Sequence, residues 1–180
     1  MLRRCAIVLT SCSAVFANGA FAQVPAAFAA PGEKTLATYH AEGAQIYECK
    51  ADADGKLSWT FREPIATLLL DGKTVGRHYA GPTWELSDGS TVVGKVAATA
   101  PGETASDIPW LKLEVTNRHG GGLLSNATTV QRLATHGGEL QGACDRAGSF
   151  RSVSYSADYS FLLKADQHQM ASIHKQGQTR

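Results

Sequence analysis

The chain has 180 residues, a length that suits one domain. Hydrophobic residues make up 43% and charged residues 18%, which excludes an intrinsically disordered chain. A formal net charge of +1 argues against a nucleic-acid binder, which carries a basic face or stripe.

The first segment reads as an export signal. Arg3 and Arg4 form a basic n-region, an apolar run extends from Ala6 to Ala17, and Ala20-Phe21-Ala22 is a small-x-small cleavage site. Residues 1–22 are therefore expected to be removed, and the mature protein to be periplasmic or secreted. The run is shorter than the roughly 20 apolar residues that span a bilayer, and no later stretch is longer, so no transmembrane segment is expected. Leu9-Thr10-Ser11-Cys12 resembles a lipobox, but only about six apolar residues precede Cys12 and the apolar run continues past it.

Residues 23–34, rich in Ala and Pro, are expected to be a flexible leader, followed by a β-domain over 35–164. Asp-Gly recurs at Asp54-Gly55, Asp71-Gly72 and Asp88-Gly89, each between runs with strand character. Asp-Gly accepts the positive φ angles of tight hairpin turns. The predicted hairpins join 44–50 to 56–62, 65–70 to 73–80, and 83–87 to 90–96. In the second arm of the first, Leu57, Trp59 and Phe61 alternate with polar residues, the period of a half-buried strand.

A polar loop over 99–107 precedes a strand opened by Pro109. There Leu111, Leu113 and Val115 alternate with Lys112 and Glu114, and Trp110 falls on the polar face. After the turn at Gly120-Gly121-Gly122 comes a less regular strand, about 123–133, ending near Gly137-Gly138. The clearest signal is the last. Val153, Tyr155, Ala157, Tyr159, Phe161 and Leu163 share one parity, and Ser152, Ser154, Ser156, Asp158 and Ser160 hold the other. That is a long antiparallel strand with one wet face. Residues 165–180 read as a polar tail.

The expected fold is therefore all-β, a single antiparallel sandwich or barrel built from hairpins, with Trp59 and the Tyr155–Phe161 face in its core. Loss of the export signal leaves Cys49 and Cys144, and an even pair in an exported domain reads as a disulfide.

Several segments resemble the secreted "domain of unknown function 3455" family. They are Gly43-Ala-Gln-Ile-Tyr-Glu-Cys49, Trp59 with Phe61, Val75-Gly-Arg-His-Tyr-Ala-Gly-Pro-Thr-Trp84 and Asp88-Gly-Ser90. Ile108-Pro-Trp-Leu111, Gln131-Arg132, Gly137-Gly138, Cys144 and Tyr155-Ser-Ala-Asp-Tyr159 complete them. The resemblance implies an exported domain and no established activity. Before Cys144 the chain departs from the family pattern, with Leu140-Gln141 where members tend to carry Ala-Pro.

The densest cluster of unusual residues is His78 to Trp84. Gly81-Pro82 must interrupt a strand ladder, because Pro has no N–H to donate. One reading is a ligand-binding site in which the bend exposes His78, Tyr79 and Trp84 at a rim. The alternative is a structural corner, with Trp84 packed beneath and His78 bonded to a carbonyl. His136 beside Gly137-Gly138 offers a candidate anion nest or a plain loop. No His-x-His or zinc-spaced Cys pair is present, so neither a metal nor a cofactor is expected.

No Gly-x-Ser-x-Gly elbow occurs. Three functions remain: a non-enzymatic domain binding a small molecule or an envelope component; an inhibitor resembling the periplasmic lysozyme inhibitors through Tyr47-Glu48-Cys49; and a hydrolase using His78 or a carboxylate such as Asp158.

Overall fold

In the computed structural model, residues 25–165 are described. The expected export signal, Cys12 and nearly all of the expected polar tail lie outside them. Eight strands follow one another: β1 (Glu33–Ala51), β2 (Leu57–Leu70), β3 (Lys73–Tyr79), β4 (Thr83–Leu86), β5 (Thr91–Ala100), β6 (Trp110–His119), β7 (Thr129–Gly137) and β8 (Phe150–Lys164). Each pairs antiparallel with the next, and β8 returns to β1, closing a barrel. This decides between barrel and sandwich. Closure also removes sheet edges, the part of a β-protein most prone to pairing with other chains.

The Asp-Gly turns sit where predicted. At β2–β3 both Asp71 (φ 50°) and Gly72 (φ 72°) are left-handed, the backbone of a two-residue hairpin. The arms 56–62 and 65–70 are not separate strands; both belong to β2. A bulge between Ile46 and Tyr47 lets the β1–β2 ladder continue through Pro64. β1 passes closely by β2 at Gly43, where a Cβ would collide with Ile65 O and Ala66.

Parity along β8 holds: Tyr155, Ala157, Tyr159 and Phe161 point inward and are buried. They meet Tyr39 and Ala41 of β1, Leu68 of β2, Trp84 of β4 and Val130 of β7 in the core. Trp59 is only half-buried and stands outside this cluster, at one end of the barrel.

Two expectations fail for one reason. Part of the presumed leader is packed: Ala26–Phe28 form a 3-10 turn and Phe28 is fully buried. Gln131 donates to Phe28 O (2.7 Å) and Lys112 donates to Ala29 O. Gln131 and Lys112 are cross-strand partners on the outer face of β6–β7. Trp110 shares that face with Lys112 and is 7% exposed, not on a wet surface.

The two ends of the barrel differ. At one end the 120–128 connection folds inward. Its first part, expected as strand, is a 3-10 turn (Leu123–Asn126) that drives Leu124 into the core with no exposed surface. Asp88 Oδ2 accepts from Leu123 N (2.7 Å), and Ser90 Oγ accepts from Leu124 N (3.2 Å). Hydrogen bonds from the Leu123 amide and from the Ser90 hydroxyl and amide hold the Asp88 carboxyl below its usual range, the Leu123 amide contributing most. The loops 52–56, 80–82, 101–109 and 138–149 lie at the opposite end.

Candidate functional site

The expected His78–Tyr79–Trp84 cluster does not form one exposed site. His78 and Tyr79 are adjacent in an extended strand, so they point to opposite faces. Tyr79 points outward, where its hydroxyl donates to Glu85 Oε2 (3.0 Å) and Arg77 lies over its ring. His78 and Trp84 are directly opposite across β3–β4 and face inward. They are 3% and 1% exposed, with rings stacked at 4.5 Å and 7°. Trp84 also meets Tyr159 at 5.4 Å and Phe161 at 6.1 Å. The Gly81-Pro82 bend thus makes a corner, rather than raising both rings to the rim.

His78 is held in one tautomer. Its Nδ1 lies 2.8 Å from Thr83 O, and a carbonyl only accepts, so Nδ1 carries the proton. Burial, with a smaller contribution from Arg132, lowers its pKa to about 3. A base that weak is a poor general base at neutral pH.

A pH prediction follows from the sign of this shift. Below 6.5 the unfolded chain takes up a proton that the folded chain refuses, so stability falls as pH drops from 6.5 toward 3. At pH 4.5 the loss from this group amounts to roughly 2–3 kcal/mol. Denaturant unfolding at pH 7.0 and 4.5 should show His78→Gln losing less stability on acidification than the wild type by about that amount. Equal losses would contradict a buried neutral His78.

The other candidates have local partners. Asp158 is half-exposed on the outer face and bonded to His40 Nδ1 at 2.9 Å. The Gly137 N–H of the proposed nest donates to Asp107 Oδ1 (2.6 Å), so the chain's own carboxylate occupies it. Hydrogen bonds from Thr104 and Gly137 hold the Asp107 carboxyl below its usual range, Thr104 contributing most. Cys49 and Cys144 form a disulfide with Cα atoms 5.9 Å apart. In the Tyr47-Glu48-Cys49 motif, the Tyr47 hydroxyl donates to Gly138 O (2.8 Å) and Cys49 is bridged.

Sequence reasoning missed the concave surface at the loop-bearing end. A depression of about 440 Å³ is walled by Gln45 and Tyr47 of β1, Trp59 and Phe61 of β2, Leu111 of β6 and Arg132 of β7. Leu140 and Gln141, the pair that departs from the expected Ala-Pro, close one side. A second depression of about 320 Å³ reaches His78 and Pro82 and shares Phe61, Leu111 and Arg132 with the first. The two lobes adjoin along these three residues.

The 138–149 loop that forms a wall is firmly tied. Besides the disulfide, Trp59 N donates to Gly142 O (3.1 Å) and Glu139 N donates to Ser106 O (3.1 Å). Arg132, 9% exposed, stands where the lobes meet. Its Nε and Nη2 both donate to Pro109 O, at 3.0 and 2.8 Å. The available signals were the parity of Arg132 with Val130 and of Gln45 with Ala41, which place both side chains inside.

No curated protein and no solved structure gives a significant match to the chain. A family model, "Protein of unknown function (DUF3455)", matches residues 30–72 and 69–163, nearly the whole barrel. The chain belongs to that family.

Proposed function

We propose that the protein is a non-catalytic binder of a small, largely apolar molecule held in the open end of the barrel, and that it works outside the cytoplasm. The observation that carries this reading is the two-lobed opening, walled by Trp59, Phe61 and Leu111 and backed by a core plugged at its far end. Eight-stranded barrels have an interior that side chains fill or that holds one small ligand. Here side chains fill the core, and two depressions open at the loop-bearing end. Ligand sites are typically concave, mostly apolar and furnished with a few polar groups, as this one is.

Phe61 is 49% exposed at the mouth, a large apolar ring that water disfavours and a ligand would cover. The Cys49–Cys144 bridge supports an oxidising compartment. Among the described residues no helix is long and apolar enough to cross a membrane. A catalytic reading finds less support, since His78 is a weak base and Asp158 lies on the outer face.

The neutral dye Nile red tests the reading. The full chain should raise and blue-shift its emission on binding, saturably and one to one. The Phe61→Asp/Leu140→Asp double variant should lose at least tenfold in dye affinity with its unfolding midpoint nearly unchanged, since Phe61 is half-exposed and Leu140 lies in a loop. Equal uptake by both proteins would place the dye elsewhere and sink the assignment.

A further inference from the structure

The opening contains one feature that an apolar ligand alone leaves unanswered. Arg132 is a buried cation, and among the described residues no carboxylate lies within 4 Å of it. Among the described residues its close hydrogen-bonded acceptor is the neutral carbonyl of Pro109, which takes two of the five guanidinium N–H groups, with the Tyr159 hydroxyl in looser reach. The Tyr159 hydroxyl beside it stays protonated: burial raises its pKa more than the guanidinium lowers it. A charge withdrawn from water without a counter-ion is unfavourable, and buried charges are ordinarily paired.

A second group in the same lobe is also unanswered. Gln45 is 2% exposed and its Nε2 has no hydrogen-bond partner among the described residues. Buried polar atoms are seldom left so, and each exception calls for an explanation. Gln45 and Arg132 both wall the 440 Å³ lobe, one from β1 and one from β7. Two buried donors thus border the lobe, set among Tyr47, Trp59, Phe61 and Leu111, and among the described residues no buried carboxylate lines it.

We infer that the ligand is an amphiphile with a single anionic head, its charge received by Arg132 and Gln45 and its apolar body lying against Trp59, Phe61 and Leu111. This rests on the binding function proposed above and specifies its ligand class. A carboxylate suits the planar fork of a guanidinium, which receives two oxygens side by side. The rim argues for one charge rather than several. Glu139 lines the same lobe, with its Oε1 accepting from Gln141 Nε2 (3.0 Å), and repels a second anionic group there. A cationic ligand on the aromatic wall has Glu139 in its favour at the rim, but the buried guanidinium stands against it.

Competition with Nile red separates these cases. Decanoate, decanol and decyltrimethylammonium share one chain length and differ in head charge. With the full-length protein at pH 7.5, decanoate should displace the dye at a concentration at least tenfold below decanol, and decyltrimethylammonium should be weakest. Arg132→Met should abolish the preference for the acid, decanoate and decanol then displacing the dye at similar concentrations. Gln45→Leu, which keeps the Arg132 charge, should reduce the preference severalfold and serves where loss of the Pro109 bonds impairs folding. Glu139→Gln should tighten decanoate more than decanol. Equal displacement by acid and alcohol, or preference for the ammonium compound, with the dye still bound, overturns the anionic head and leaves the pocket standing. Absence of dye uptake together with absence of decanoate binding by calorimetry overturns both.

Discussion

Trp84→Ala is expected to lower the free energy of unfolding by about 3–5 kcal/mol, the range for deleting a large buried aromatic ring. Trp84 is 1% exposed, stacked on His78 and in edge contact with Tyr159 and Phe161. A Cβ built on Gly94 would come within 3.2 Å of the indole, so that wall has little slack and little means of collapsing into the cavity. Trp84→Phe should be far milder. It keeps a ring against Tyr159 and removes the indole Nε1, a buried donor with no partner among the described residues. Chemical denaturation of the three proteins checks the order. Near-native stability of Trp84→Ala combined with loss of dye binding would mean that the ring serves the ligand, as one reading of the sequence held, and that the core has been misassigned.

The second large effect concerns the disulfide. Replacing both cysteines by serine should cost about 2–4 kcal/mol, with the chain-entropy model placing the ceiling near ~4.7 kcal/mol for a long loop. The bridge closes a sequence separation of 95 residues, and it joins the end of β1 to the loop that walls the opening. Two readouts are therefore coupled. The unfolding midpoint should fall, and Nile red affinity should fall with it, because Glu139, Leu140 and Gln141 lose their anchor. Reduction of the wild type under native conditions should reproduce both. Lower stability with unchanged dye affinity would show that the backbone bonds from Trp59 to Gly142 and from Glu139 to Ser106 suffice to shape the wall.

Much of the barrel was readable because its local rules agree. The Asp-Gly pairs occupy turns that require left-handed backbone, and β8 alternates from Ser154 to Phe161 because one face meets the core and the other meets water. Trp110 broke the rule: its parity is outward, but the outer face of β6–β7 is covered by residues 26–29, a contact across some eighty positions that no local pattern reports. His78 and Trp84 were singled out together, and they lie directly opposite each other on adjacent strands. Of the two readings weighed for them, the buried corner is the one observed; the exposed one fails because a Gly-Pro interruption marks a bend without saying which side of it faces inward.

The opening itself was not legible. Its walls come from β1, β2, β6 and β7 and the 138–149 loop, which only closure of the barrel brings to one end. A lone Arg in a polar-looking run, Gln131-Arg132, reads as a solvated residue. The bulge between Leu133 and His136 further obscures the alternation there. Gln45 is hidden similarly, as a polar residue on the inward parity of β1.

Native mass spectrometry of the protein, purified gently from its own host's envelope, tests whether the open end of the barrel holds a small molecule. A mass excess of a few hundred daltons is expected, lost on denaturation and absent from the Phe61→Asp/Leu140→Asp variant. A bare protein mass from the host, unchanged after incubation with an envelope lipid extract, would contradict it.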